Sequence, residues 1–281
     1  MFRNSFKRIR IAIISLMIIA SMCLILSKID DLLQKISERL YFDLNTNHFH
    51  QTHHKPVRFR RTNFGIKRKQ ILINRIGIDN FSRLWPKGIV HYIISPSLSR
   101  YRSTIEDAMR EIESETCIRF KQLKNLRRRS IQQIDHIFLV YGDGCHSIVG
   151  RAGYGRQILS LGEGCHDIGS IIHELCHSIG LFHEHTRFDR DRYLTIVWNN
   201  IAPEMFDQFE KIPISEYHPV QRFDFNSIMI YGRKAFSKNG LDTIVPKDRR
   251  ALIEESHFKD SLSRSDIINI NALYNCPNKM I

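Results

Sequence analysis

The sequence predicts an α+β fold of two lobes with a cleft between them. Strand-like runs and an amphipathic helix precede a histidine-bearing helix, so a twisted sheet with helices packed on it should form the first lobe. Beyond that helix the periodic stretches thin out, which predicts a sparser second lobe. A cleft between two such lobes is where a small number of convergent polar groups can act.

The chain divides by texture into three parts: 1–28, 29–75 and 76–281. Within residues 1–28 the chain opens with four basic residues and then runs through sixteen apolar or small ones, Ile11 to Leu26. That layout is an export signal, cleaved or retained as a type II anchor; a full span needs about 20 residues. Residues 29–75 are polar, basic and rich in histidine (His48, His50, His53, His54), with no sustained apolar period. They read as a removable prosegment, with cuts open at Arg58–Arg61, Lys67–Lys69 or Arg75. The net charge of +13 concentrates here: 15 Lys+Arg against 4 Asp+Glu in 1–75, but 27 against 25 in 76–281. A nearly neutral body without a basic helix excludes a nucleic-acid partner. The run 121–130, "KQLKNLRRRS", reads as a solvated loop.

From residue 76 the text becomes globular. "GIVHYII" (88–94) alternates as a strand, and 97–116 carries an apolar stripe at Ile105, Ala108, Met109 and Ile112, as an amphipathic helix does. Strands are expected at 117–120, 134–141, 147–151 and 157–161. The histidine helix follows, then a second helix in "VWNNIAPEMFDQFEK" (197–211) and a closing helix over 263–274 capped by Ser263. Cys117, Cys145, Cys165, Cys176 and Cys276 lie in this body and Cys23 in the leader. Export predicts pairing. A local bridge between Cys145 and Cys165, flanking a strand-turn-strand, would leave Cys117 with Cys276 and Cys176 as a buried thiol, though other pairings stay open.

The chemistry sits in "HELCHSIGLFH", 173–183. His173 and His177, four apart on a helix, stack on one face and make a two-pronged clamp for a tetrahedral metal such as zinc. Glu174 lies one step round the helix, where a general base for a zinc-held water belongs. Gly180 tolerates the left-handed conformation that ends a helix, so the chain can swing His183 back as a third ligand. Three histidines leave one position open, which marks a catalytic site holding one Zn²⁺. HExxH alone is a weak signal; the full HExxHxxGxxH is a metzincin signature.

"HELCHSIGLFHEHTRFDRD" (173–191) with "SIMIYG" (227–232) resembles the astacin family of zinc endopeptidases, within the metzincins. "LWPKGIVHY" (84–92), "TCIRF" (116–120), "GCHSIVGR" (144–151) and "LYNC" (273–276) follow in family order, so the resemblance covers roughly 76–281. It implies a metzincin catalytic domain with the zinc helix in the first lobe and protein or peptide substrates. His173, His177 and His183 match the zinc ligands and Glu174 the base. Met229 matches the Met-turn methionine, and Tyr231 a tyrosine that ligates resting zinc and then donates to the oxyanion. Cys117–Cys276 and Cys145–Cys165 match the family's bridges. Glu184 matches a residue linked to the mature amino terminus, which cleavage after Arg75 would place at Ile76, nine residues before Trp85.

Three departures stand out. Ile230 replaces the usual histidine, Cys176 a larger apolar residue, and the prosegment lacks the Phe-x-Gly-Asp that holds zymogen zinc; Asp43 is the nearest substitute. A zinc-stabilised binding module would have no use for Glu174 and Tyr231, both of which are kept. With five residues after Cys276, a minimal, monomeric, secreted protease is expected; a membrane-tethered sheddase would follow if residues 11–26 are retained. Arg222, Arg233 and Lys234 would favour acidic substrates, and Asn80 is an N-glycosylation acceptor.

Overall fold

The computed structural model describes residues 83–124, 133–217 and 219–277. The leader, the prosegment, Ile76, Asn80 and most of the basic run 121–130 lie outside them.

Strand β1 (Ile89–Ile94) alternates half-buried and buried positions, as its sequence period requires. A 3-10 turn at Pro96–Tyr101 leads into helix α1 (Arg102–Glu115), whose buried residues are the predicted stripe Ile105, Ala108, Met109 and Ile112. Strands β2 (Arg119–Gln122), β3 (His136–Val140), β4 (Cys145–Ser147) and β5 (Arg156–Leu161) complete a sheet of order β2-β1-β3-β5-β4. β1 runs parallel to β2 and β3, and β3 parallel to β5; β4 lies antiparallel to β5 at the edge. Helix α2 (Ile168–Ser178) packs against α1, and a core of Val90, Ile137, Leu139, Ile112, Ile171 and Leu175 fills the space between sheet and helices.

The second lobe has a separate core of Leu194, Ile196, Ile201, Phe209, Phe223, Ile230 and Ile244. Its regular structure is one antiparallel pair, β6 (Leu194–Ile196) with β7 (Ile244–Pro246). Helix α3 (Arg264–Leu273) returns to the first core through Ile270 and Leu273. Ser263 caps it in a reciprocal box with Asp266. At its other end Asn275 takes φ +49, and the amides of Asn275 and Cys276 bond back to Ala272 and Asn271. That reversal delivers Cys276 to Cys117, closing a bridge across 159 residues, while Cys145–Cys165 joins β4 to the loop after β5. Cys176 is a buried free thiol.

Two expectations are corrected. The helix expected in 197–211 is two 3-10 turns, Trp198–Asn200 and Pro203–Phe209. Pro203 forces Ala202 into extended backbone (ψ 128), which splits the periodic stretch. The strand expected at 147–151 stops at Ser147, because Gly150 turns at φ +76 and gives its N–H to the His177 carbonyl at 2.8 Å. Among the described residues no helix is long and apolar enough to cross a membrane.

Candidate active site

Helix α2 begins at Asp167, whose carboxylate accepts the Ser170 amide at 2.7 Å, and every residue from Gly169 to Ser178 is buried. Its end is fixed twice. Trp85, 2% exposed, donates its indole N–H to the Ser178 carbonyl at 2.8 Å. Gly180, at φ +109, closes a turn in which Gly180 N–H bonds to His177 O and Leu181 N–H to Cys176 O. This reversal carries His183 back over the helix.

The histidines are oriented from behind. His173 Nδ1 donates to the carbonyl of Ile228 at 2.7 Å, and His177 Nδ1 to that of Leu181 at 2.8 Å. With Nδ1 protonated, each Nε2 is left as a lone pair, and both face His183 Nε2, at 3.2 and 2.9 Å. Nitrogens about 2.0–2.1 Å from one tetrahedral ion lie about 3.3 Å apart, so the triad is near the spacing zinc asks for. Burial pushes His173 down to about 4 and His177 to about 3, and holds His183 low as well, keeping all three neutral and able to ligate.

Glu174 is 4% exposed, and its Oε2 is buried with no hydrogen-bond partner among the described residues. Desolvation pushes its carboxyl up to about 8. An orphaned acceptor in a dry site beside three converging lone pairs is what a hydrated metal ion would satisfy, so the donor set fits zinc.

The segment 227–231 lies beneath the histidines. Met229 is in the first core and Ile230 in the second, so adjacent side chains plug opposite lobes. Ile230 therefore has an apolar seat that accounts for it in place of a polar residue. Asp266 of α3 fixes this turn by accepting Ser227 Oγ at 2.6 Å and Ile228 N at 2.8 Å. The Tyr231 ring lies 4.2 Å from His183 and 4.1 Å from His185, and burial raises its pKa. Glu184 accepts Arg187 Nη1 and the Asp224 amide, both at 2.9 Å. Its suggested partner, Ile76, is outside the described residues. Of the cations expected to favour acidic substrates, Arg233 pairs with Asp242, while Arg222 and Lys234 are exposed.

Three contributors escaped the sequence reading. Asp266 gives no signal beyond a capping box, and its grip on the turn spans 38 residues. Glu255 packs its carboxylate against Gly232, leaving no room for a Cβ there. His185, 0% exposed, was legible only as one more histidine next to the motif.

The model of the family described as Astacin (Peptidase family M12A) matches residues 77–275. Zinc metalloproteinase nas-8 of Steinernema carpocapsae is 43% identical over 208 residues, covering 73% of this chain and 48% of its own length. Astacin-like metalloprotease toxin 1 of Loxosceles intermedia is 41% identical, covering 74% of this chain and 77% of its own. The solved structure of high choriolytic enzyme 1, a hatching enzyme zinc-protease from Oryzias latipes, superposes with a TM-score of 0.62 at 39% identity, over 70% of this chain and 96% of that one. The chain spans from 34% to 51% of the length of the first four nematode relatives.

Proposed function

Because this chain belongs to the astacin family, peptidase family M12A, we propose that it is a zinc-dependent endopeptidase that hydrolyses extracellular proteins or peptides, with Glu174 as general base. The observation that carries this reading is the convergence of three neutral imidazoles beside a buried carboxylate oxygen that has no other partner.

His173, His177 and His183 would hold one zinc ion, their tautomers set by the carbonyls behind His173 and His177. When bound, the ion supplies Lewis acidity, polarising the scissile carbonyl and bringing the pKa of a water in its open position toward about 7. Glu174 takes the proton from the attacking water and passes it to the leaving amine, a role its place one step round the helix from His173 supports. Tyr231, its phenol kept protonated by burial, donates to the oxyanion. The substrate backbone pairs with β4, an edge strand whose outer side has no partner strand among the described residues.

Two disulfides in the described residues support an oxidising compartment. In this reading residues 1–28 direct export and 29–75 are removed, leaving 76–281 as the active, monomeric domain with Ile76 at its terminus beside Glu184.

The test is substitution. Glu174→Gln should keep its zinc by metal analysis and lose about 10²–10⁴-fold in turnover on casein or gelatin. Tyr231→Phe should lose less. Wild-type turnover by Glu174→Gln would overturn the mechanism.

A further inference from the structure

We propose that His185 is a positioning residue for Tyr231, holding the phenol over the histidine triad by stacking against it. The inference rests on the reading of Tyr231 as the oxyanion donor.

A tyrosine on a turn rotates freely about its Cα–Cβ bond unless something packs against its ring. His183, on the same flank as His185 and 5.2 Å from it, lies 4.2 Å from the Tyr231 ring, tilted by 54°. The His185 imidazole lies 4.1 Å away and within 29° of parallel, the flatter of the two contacts. Phe236 and Phe209 meet the phenol edge-on at 5.5 and 6.1 Å. His185 is thus the broad surface against which the ring rests.

That surface is itself immobilised. His185 is fully buried, packs on Phe209 at 5.4 Å, and donates Nε2–H to the carbonyl of Gln208 at 3.0 Å. The Arg190 guanidinium, buried in turn, donates to the backbone carbonyls of both His185 and Phe209, tying the two packed residues together through their backbones. The remaining ring nitrogen of His185, Nδ1, has no partner among the described residues. A residue kept for hydrogen bonding would use both nitrogens; this one uses one as an anchor and offers its face.

A phenol aimed at developing negative charge matters only if its oxygen is placed within a fraction of an ångström, and misplacement by about 1 Å costs about a hundredfold. His185→Ala should therefore lower kcat by about ten- to a hundredfold with KM changed less than about threefold. Zinc content should stay at the wild-type level. In a Tyr231→Phe background the same substitution should add less than about twofold, because no hydroxyl is left to aim. His185→Phe, which keeps a flat ring but loses the Gln208 bond, should recover most of the wild-type rate.

A second arm needs no turnover. Binding of a phosphinic peptide, a tetrahedral mimic, to the Glu174→Gln protein should weaken on His185→Ala by a similar factor, and should not weaken further when Tyr231 is already Phe. An equal loss from His185→Ala in both backgrounds, or a loss of zinc, would assign His185 to the metal shell or to folding and overturn the proposal. If truncation prevents folding, His185→Phe decides: a loss as large as that of Tyr231→Phe overturns the stacking account. Should Tyr231→Phe itself change neither turnover nor mimic binding, the oxyanion reading fails first, and the stack has nothing to position.

Discussion

A carboxyl with one oxygen buried and without a hydrogen-bond partner among the described residues, as in Glu174, keeps its proton well above the ordinary value of 4.5, up to about 8. The linkage has a definite sign. Between these two values the metal-free folded protein binds a proton at this site that the unfolded chain has released. Its contribution to stability is present below pH about 4.5 and is lost as pH rises through about 8. Chelator-treated protein should therefore lose stability across pH 5–8 more steeply than chelator-treated Glu174→Gln, by urea unfolding at a series of pH values. Parallel slopes would show that the carboxyl is solvated. At this scale the sequence was most readable where function follows from spacing along one helix: His173, Glu174, His177 and the Gly180 turn need only 3.6 residues per turn. Asp266 and His185 were not readable, because the roles of both arise from contacts that the fold creates, with Ser227 for the first and with Tyr231 for the second.

Helix α2 is seated by a close approach at its first turn. A Cβ on Gly169 would lie 2.0 Å from the carbonyl oxygen of Ser256 and 2.2 Å from that of Lys259, both backbone atoms. Alanine normally gains about 1 kcal/mol over glycine inside a helix. Here overpacking, at about 1–3 kcal/mol or more, outweighs the gain. Gly169→Ala should lower the denaturant midpoint and, by tilting α2, weaken zinc retention; a raised midpoint would show that segment 256–259 yields easily. The elements that could be read in advance, β1, α1, α2 and α3, carry a strong period or a cap. The turns at 198–209 could not, since their apolar residues keep a helical spacing while Pro203 denies the backbone.

At the scale of the whole domain, the two bridges among the described residues close loops of very different size, 20 and 159 residues. By loop entropy the first should contribute about 3 kcal/mol and the second about 5. Cys117→Ser with Cys276→Ser should therefore destabilise more than the Cys145, Cys165 pair of substitutions, by guanidinium unfolding; the reverse order would mean that the unfolded chain retains contacts near its end. The α+β class with a sparse second lobe was legible in the sequence, because it depends only on where periodic segments fall. Strand order was not: a mostly parallel sheet arranged β2-β1-β3-β5-β4, with an antiparallel edge, is chosen by long-range packing, and no local pattern encodes it.

Met229 and Ile230 have one further consequence. Consecutive side chains are sunk into separate oily interiors, and the peptide just before them supplies the carbonyl that steers His173. A swelling or shrinkage of either interior must therefore tug on that imidazole. Substitutions that never approach the metal, on either side of the molecule, would then register as a change in how tightly it is gripped.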